Sequence, residues 1–590
     1  MRLRENKIEI QGRSLLINVV AIIINIVAVF YIAKGFHQSA GDGAVLYKSI
    51  GFVLLIASIV GLVALKGMFM LSYVARAFVG GLFIVSGLVK ANDPWGFAFK
   101  LEEYFSPMGL AYDMPFFEIF SPYVLQLSII ICVAEIVLGI AVIVGGKIKL
   151  TSWLLLIMML FFTWLTYYTF SCVSLSDLMA DKGVPFDREC VRDCGCFGDA
   201  LKGSVGRSLT PYESFWKDLV LFYFVLIIFL NQWKIELNTY KENWVMAPAA
   251  LLVVIFFSWV FGWYFPILFY VLTILGAYVV GNMNIGKVAK PWKMAGFVGL
   301  IALLFSLYTT NYLPIKDYRP YAIGNSIIDQ MNNGKDEVAT YSVIYKNKQT
   351  GLEETFDSGD YEIYGDTSKY VFVNTKVNVI EAGKLPSISD FVLVTDYENL
   401  SSEEKQNPIL DSIISMDFEN YYESKLIVNS RRGADTINKY NYAPFYVDTA
   451  FGGDTIFYER GKEFYGLVDS QSPFRVNVTN YILSLDQVIL VTIRDIETHN
   501  VNAIDQILDI YKNATENDVP MYILTPASDD QMDKFKSETG LNTPHLSIDG
   551  VEVKIPVRSN PGLILFKNAV VVEKYGSRSI PSFERIMEKF

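Results

Sequence analysis

The distribution of apolar residues divides the chain near residue 312. Before that point apolar residues run for about 20 positions at a time, the length that carries an α-helix across a bilayer. Such runs lie at 15–33, 48–66, 70–89, 122–145, 151–171, 214–231, 246–263, 264–281 and 294–312, the pair 246–263 and 264–281 meeting in a tight turn at Trp263 and Tyr264. Beyond 312 the pattern becomes that of an ordinary globular protein. Residues 337–346 and 370–379 alternate as half-exposed strands do, with a turn expected at Asn333-Gly334. The stretch 488–493 is wholly apolar, 501–514 repeats apolar residues at helical spacing, and 521–524 reads as a second buried strand, followed by a helix at 528–539. The predicted fold class is a polytopic α-helical membrane protein of about nine spans, followed by a β-rich module (313–385) and an α/β domain (386–590) with an insertion near 410–480.

Lysine and arginine in the short loops give the expected orientation. Arg2, Arg4, Lys7 and Arg13 precede the first run; Lys147 and Lys149 follow the fourth, Lys234 and Lys241 the sixth, and Lys287, Lys290 and Lys293 the eighth. With nine spans all of these fall on one side. The expectation is a bacterial inner (cytoplasmic) membrane protein whose N-terminus is cytoplasmic and whose 313–590 region is periplasmic. The basic start carries no small-residue cleavage site and reads as a retained anchor.

Charge follows the same division. Of 50 basic and 61 acidic residues in the 590-residue chain, 27 basic and 42 acidic fall in 313–590. A net of −15 in the globular part argues against a nucleic-acid partner, which needs a basic face. The expected surroundings are lipid, exported proteins and other membrane proteins.

The candidate chemistry sits in one connection. Of the 5 cysteines, Cys172, Cys190, Cys194 and Cys196 lie between the runs 151–171 and 214–231, on the side predicted to be outside, and Cys132 lies inside a run. An oxidising compartment favours disulfides. A Cys-x-Cys pair closes a small strained ring, and strained disulfides exchange readily. Cys194 and Cys196 are therefore a candidate redox pair, with Cys172 or Cys190 available to resolve a mixed disulfide. Two other readings stand beside this one: two disulfides that only staple the loop, or a Cys₄ metal site, whose spacings depart from the usual CxxC knuckles. Four cysteines allow three pairings, and the sequence does not choose.

Glu135 falls near the centre of its run, where a carboxylate is costly; it reads as a functional group or as a protonated partner of a neighbouring helix. Arg76 is close enough to a helix end to snorkel, and Cys132 reads as packing. Residues 95–105 form an amphipathic stretch with its rings on one side, expected at the membrane interface.

Several motifs together resemble the DoxX/MauE family of small membrane proteins. They are Ala75-Arg76-Ala77-Phe78-Val79-Gly80-Gly81, Ser86-Gly87-Leu88-Val89-Lys90-Ala91-Asn92-Asp93-Pro94, Lys100-Leu101-Glu102-Glu103-Tyr104-Phe105, Cys194-Gly195-Cys196-Phe197-Gly198-Asp199 and Glu213-Ser214-Phe215-Trp216-Lys217-Asp218. The resemblance covers about 70–231 and implies a four-helix membrane bundle. It also implies an association with quinone-linked sulfur oxidation or with disulfide maturation of exported enzymes, and a quinone is a possible electron acceptor between the helices. The long 171–193 segment, Cys172 and Cys190 depart from the family pattern, as do the two-span extension at 1–69 and the three further spans within 232–312.

The end of the chain resembles a thioredoxin fold: an entry strand at 388–395, the βαβα order from 488 to 539, a hairpin turning at Lys567-Asn568 and a last helix at 581–590. Pro561 occupies the place where that fold keeps a cis-proline. Arg494-Asp495-Ile496-Glu497-Thr498-His499 stands where the fold carries its CxxC pair, so this domain has no dithiol of its own. The resemblance implies a peptide-binding groove at Asn560 and Pro561 that presents clients to the membrane loop. His37, His499 and His545 are isolated in sequence, and no P-loop, nucleophile elbow or HExxH motif is present. Two functions follow: a thiol–disulfide factor in envelope-protein maturation, or a non-enzymatic membrane scaffold whose cysteines are structural.

Overall fold

The structure is a computed structural model. It describes residues 68–410 apart from 194, 285–286, 337 and 382, short strands between 427 and 467, and residues 475–590. The runs at 15–33 and 48–66, most of the insertion near 410–480, and Cys194 lie outside the described residues. Two compact units meet between Tyr318 and Arg319, six residues beyond the boundary read from hydropathy.

The first unit is helical: α1 (Met68–Asn92), α2 (Pro94–Phe105), α3 (Val124–Val144), α4 (Ile148–Asp181), α5 (Pro211–Leu230), α6 (Tyr240–Val260), α7 (Phe265–Asn282) and α8 (Lys290–Tyr312), with short helical turns between. Among the described residues six helices are long and apolar enough to cross a membrane: α1, α3 with the turn before it, α4, α6, α7 and α8. These correspond to six of the nine predicted runs. The run 214–231 is also a helix, α5, but Glu213, Lys217 and Asp218 in its first turns set it apart in composition.

Helix α1 packs along α3, and α5 along α4. At the α1–α3 crossing Gly80 and Gly139 face each other; a Cβ on Gly80 would lie 2.8 Å from the Gly139 carbonyl, so the backbones meet where only glycine leaves room. Such small-residue seams replace the hydrophobic drive that is absent between helices in lipid. Helix α4 reaches Asp181, ten residues past the predicted run. Cys172 therefore sits within a helix and not at the start of a loop. Helix α2 begins with Asp93 accepting from the Gly96 amide and with Pro94 at its first position. It buries one face, which carries Phe97, Leu101, Tyr104 and Phe105, and leaves Trp95 and Phe99 half-buried.

The second unit holds a three-stranded antiparallel sheet, β1 (Val338–Asn347), β2 (Glu353–Asp357) and β3 (Tyr370–Glu381), in the order β2-β1-β3. Asn333 closes the short helix Ile327–Asn332 ahead of β1 and makes no hairpin turn. Next come β4 (Val394–Asp396), five short strands β5–β9 (Ile427–Ser430, Gly433–Thr436, Tyr446–Val447, Thr455–Glu459, Lys462–Leu467), β10 (Arg475–Asn477), β11 (Gln487–Thr492), α9 (Val501–Glu516), β12 (Met521–Thr525), α10 (Asp529–Thr539), β13 (His545–Ser547), β14 (Gly562–Lys567), β15 (Val570–Gly576) and α11 (Phe583–Met587). The main sheet runs β10-β4-β13-β12-β11-β14-β15, with β11, β12 and β13 parallel and β14 and β15 antiparallel. The expected entry strand is only three residues long, and β10 and β13 are additional strands. Asn568 and Ala569, both at positive φ, make the hairpin turn, one residue later than predicted. The Asn560–Pro561 peptide is cis.

Candidate functional site

Helices α1, α2, α3, α4 and α5 and the loop around Cys196 enclose a cavity of about 40 Å³, room for a few water molecules. Its polar lining is Ser86, Lys90, Tyr104, Glu135, Lys217 and Asp218; Cys196 and Phe197 contribute the loop side. The apolar remainder comes from residues such as Phe83, Met159 and Phe162.

Lys90, in the last turn of α1, reaches across to α3. Its Nζ lies 2.8 Å from Glu135 Oε1 and 2.9 Å from Oε2, with both side chains buried. Glu135 is therefore one half of an intramembrane ion pair, not an isolated carboxyl. Lys90 also donates to Ser86 Oγ at 2.7 Å, and Ser86 Oγ donates to the Cys196 carbonyl at 3.3 Å. A continuous chain of hydrogen bonds thus joins the ion pair to the cysteine loop. The rings of Phe97 and Phe162 lie 5.6 and 5.9 Å from the ammonium, within cation–π range.

A second pair comes from α5. Lys217 Nζ lies 2.9 Å from Asp218 Oδ1 and 5.0 Å from the Phe197 ring. Asp218 is 2 % exposed, and its Oδ2 has no hydrogen-bond partner. Tyr104 shares a hydrogen bond of 3.0 Å with Thr169, and burial raises its phenol above the ordinary value, keeping it neutral.

The loop is shaped for close approach. Gly195 has φ +63°, and a Cβ there would lie 2.8 Å from Lys100 Cγ. Cys172 and Cys190 form a disulfide with Cα atoms 5.7 Å apart, tying α4 to the loop. Cys196 is half-buried and disulfide-bonded as well. These bonds consume the thiolates that a Cys₄ metal site would need. Cys132 is free and buried, as packing requires.

Arg76 does not snorkel. It is 2 % exposed; Nε donates to Val142 O at 2.8 Å, and Nη2 to Ile143 O at 2.8 Å and to Asn238 Oδ1 at 2.6 Å. It closes the carbonyl end of α3, which has no intrahelical partners left.

In the second unit, Asn560 uses its side chain internally. Its Oδ1 accepts from the Arg494 amide at 3.1 Å, and its Nδ2 donates to Asp495 O at 2.6 Å and Thr498 O at 3.3 Å. Pro561 is buried. Asn560 therefore fixes the 494–498 loop from within. His499, isolated in sequence, is half-buried and stands edge-on to Phe535 at 5.3 Å. His545, isolated in sequence, is buried, with Asp529 Oδ1 2.7 Å from Nε2 and Lys536 Nζ 3.1 Å from Nδ1.

Reasoning from sequence missed Lys90, Lys217 and Asp218. The rule that marks a carboxylate within an apolar run applies to Asp218 as it does to Glu135; Lys90 carries no such signal because it stands just past its run.

No curated protein gives a significant match to this chain. Residues 68–172, which hold α1, α2, α3 and the Lys90–Glu135 pair, match the family model of methylamine utilisation protein MauE, so that this part of a chain built like a multi-pass membrane protein with a soluble region is similar to MauE-type domains.

Proposed function

We propose that the protein is a membrane thiol–disulfide oxidoreductase serving the maturation of exported proteins. The observation that carries this reading is that disulfide-bonded Cys196 lines a buried cavity containing two lysines and two carboxylates. A purely structural staple has no need of such surroundings. In the exchange, a thiolate of the client attacks the sulfur bonded to Cys196. That S–S bond breaks, a mixed disulfide forms, and the second client thiol displaces it, leaving the client oxidised and the loop as a dithiol.

Return of the loop to its oxidised form requires a two-electron acceptor, and the resemblance to DoxX/MauE proteins implies a quinone. The donors Lys90, Lys217 and Tyr104 suit a carbonyl oxygen, but about 40 Å³ holds waters and not an aromatic ring. No reoxidation step is placed in this cavity.

The second unit is read as a thioredoxin-like client-binding domain. Parallel β11 and β12, the β14–β15 hairpin, the cis-proline ahead of it and the cysteine-free 494–499 loop support that reading. A second reading, a scaffold for envelope assembly, is favoured by the exposed apolar side chains Tyr341, Phe372, Val377 and Ile380 on the β1–β3 sheet.

The test is differential alkylation of the full chain in native membranes. Reduced glutathione is expected to expose Cys196 to label while Cys172 and Cys190 stay protected. A Cys196→Ser variant that still supports disulfide formation in exported proteins would remove the oxidoreductase reading; stable co-purification with envelope proteins would then favour the scaffold.

A further inference from the structure

We propose that Asp218 is the proton acceptor and donor for thiol–disulfide exchange at Cys196, held in place by Lys217; this rests on the oxidoreductase reading above. Five titratable side chains other than Cys196 line the cavity: Lys90, Tyr104, Glu135, Lys217 and Asp218. Four of them have their polar atoms engaged. Both oxygens of Glu135 are taken by Lys90, Tyr104 is bonded to Thr169, and Lys217 is paired with Asp218. Asp218 alone among the five presents a buried oxygen, Oδ2, with no partner. A carboxylate oxygen taken out of water and left unpaired is costly, and burial with apolar neighbours would be cheaper. The cavity has room for the water that such an oxygen needs to pass a proton.

The exchange has a proton to move. The client thiol must lose one to attack, and the Cys196 sulfur, which leaves with the electron pair of the broken S–S bond, must gain one. Asp218 Oδ2 takes up the first proton through cavity water and returns it to the Cys196 thiolate, so the step neither gains nor loses charge. The Lys217 ammonium, 2.9 Å from Oδ1 and 5.0 Å from the Phe197 ring next to Cys196, holds Asp218 beside the loop. Other charges facing this site are the Lys90–Glu135 pair from α1 and α3, Glu103 from α2, paired with Lys100 at 2.7 Å, and, from the loop, Asp193, paired with Lys202 at 3.8 Å; Glu103 and Asp193 both act on Tyr104.

The experiment uses the full chain in nanodiscs with reduced glutathione as the probe. The rate at which the Cys196 disulfide opens is read by quenched alkylation from pH 5 to pH 9. Asp218→Asn is expected to slow opening by about 10²-fold, the usual contribution of a positioned acid–base group, and to leave only the titration of the attacking thiol in the pH profile. Asp218→Glu, which keeps the carboxylate, is expected to restore most of the wild-type rate. Should Asp218→Asn fail to fold, Lys217→Gln serves instead and is expected to slow opening several-fold by releasing Asp218 from its place beside the loop. An Asp218→Asn variant with the wild-type rate and profile overturns the role of Asp218 while leaving the oxidoreductase reading intact. A wild-type disulfide that glutathione never opens overturns both.

Discussion

Lys90 and Glu135 form a bidentate ion pair inside the helical unit, with side chains 3 % and 4 % exposed and ammonium-to-carboxylate distances of 2.8 and 2.9 Å. Such a pair is weak evidence of stability by itself, because two desolvation penalties offset the attraction, but removing one partner strands the other charge. Glu135→Gln is expected to destabilise the unit by about 3–5 kcal/mol, and Lys90→Met with Glu135→Met to recover most of that loss. Thermal denaturation of the three proteins in one detergent checks it. Equal melting of Glu135→Gln and wild type would show that water reaches the pair.

Arg76 satisfies two carbonyls at the end of α3 and makes a third hydrogen bond to Asn238 Oδ1. Arg76→Met leaves buried carbonyls and is expected to cost roughly 2–4 kcal/mol, given about 1–3 kcal/mol for each unsatisfied group. Arg76→Lys is expected to lie between, because a point charge cannot span the same acceptors as a planar fork. The same melting series decides it, and a Lys variant as stable as wild type would deny the fork its part.

The Cys172–Cys190 bridge closes a segment with a sequence separation of 18. Its removal as Cys172→Ser with Cys190→Ser is expected to cost about 3 kcal/mol. Exchange of Cys196 with glutathione is expected to persist. Loss of Cys196 exchange in a double variant that still melts cooperatively would make this bridge part of the redox path and not a staple.

Glu213, in the capping box that starts α5, is held at about 2 chiefly by its hydrogen bonds with Arg207, against a smaller opposing effect of burial. A lowered carboxyl pKa contributes stability that is present above the unfolded value and is lost as pH falls through the folded one. The helix start is therefore expected to weaken between about pH 4.5 and pH 2, and Arg207→Ala to shift the onset upward within that window. Acid titration followed by amide exchange at Glu213 reads this directly; an unchanged onset in Arg207→Ala would refute the assignment.

Asn560 ties the 494–500 loop to the strand behind it. Asn560→Ala is expected to speed amide exchange at Arg494 with little change in overall melting. Unaltered exchange there would mean that the loop holds itself.

How much of this was legible depended on the range of each interaction. Period and length announce an element, so six of the runs up to 312 match helices qualified to span a membrane, and the strands near 338, 370, 488 and 521 were found within a residue or two. Glu135 was marked by its depth alone. Its partner was not, because 45 residues separate it from Lys90 and only the α1–α3 crossing at Gly80 and Gly139 brings them together. Arg76 was misjudged for the same reason: a helix end seen alone offers water or headgroups, whereas here it offers the open carbonyls of another helix.

The sequence by itself determined the helical and globular halves, the acidic character of the second, the placing of four of the five cysteines in one connection and the absence of cysteine from 494–499. Each is a matter of residue type and local spacing. Tertiary structure decided that Cys172 pairs with Cys190, that Lys90, Lys217, Asp218 and Glu135 surround one cavity beside Cys196, and that Asn560 works inward. Those relations join residues tens of positions apart. Pair geometry and burial fix them, and no linear pattern records either.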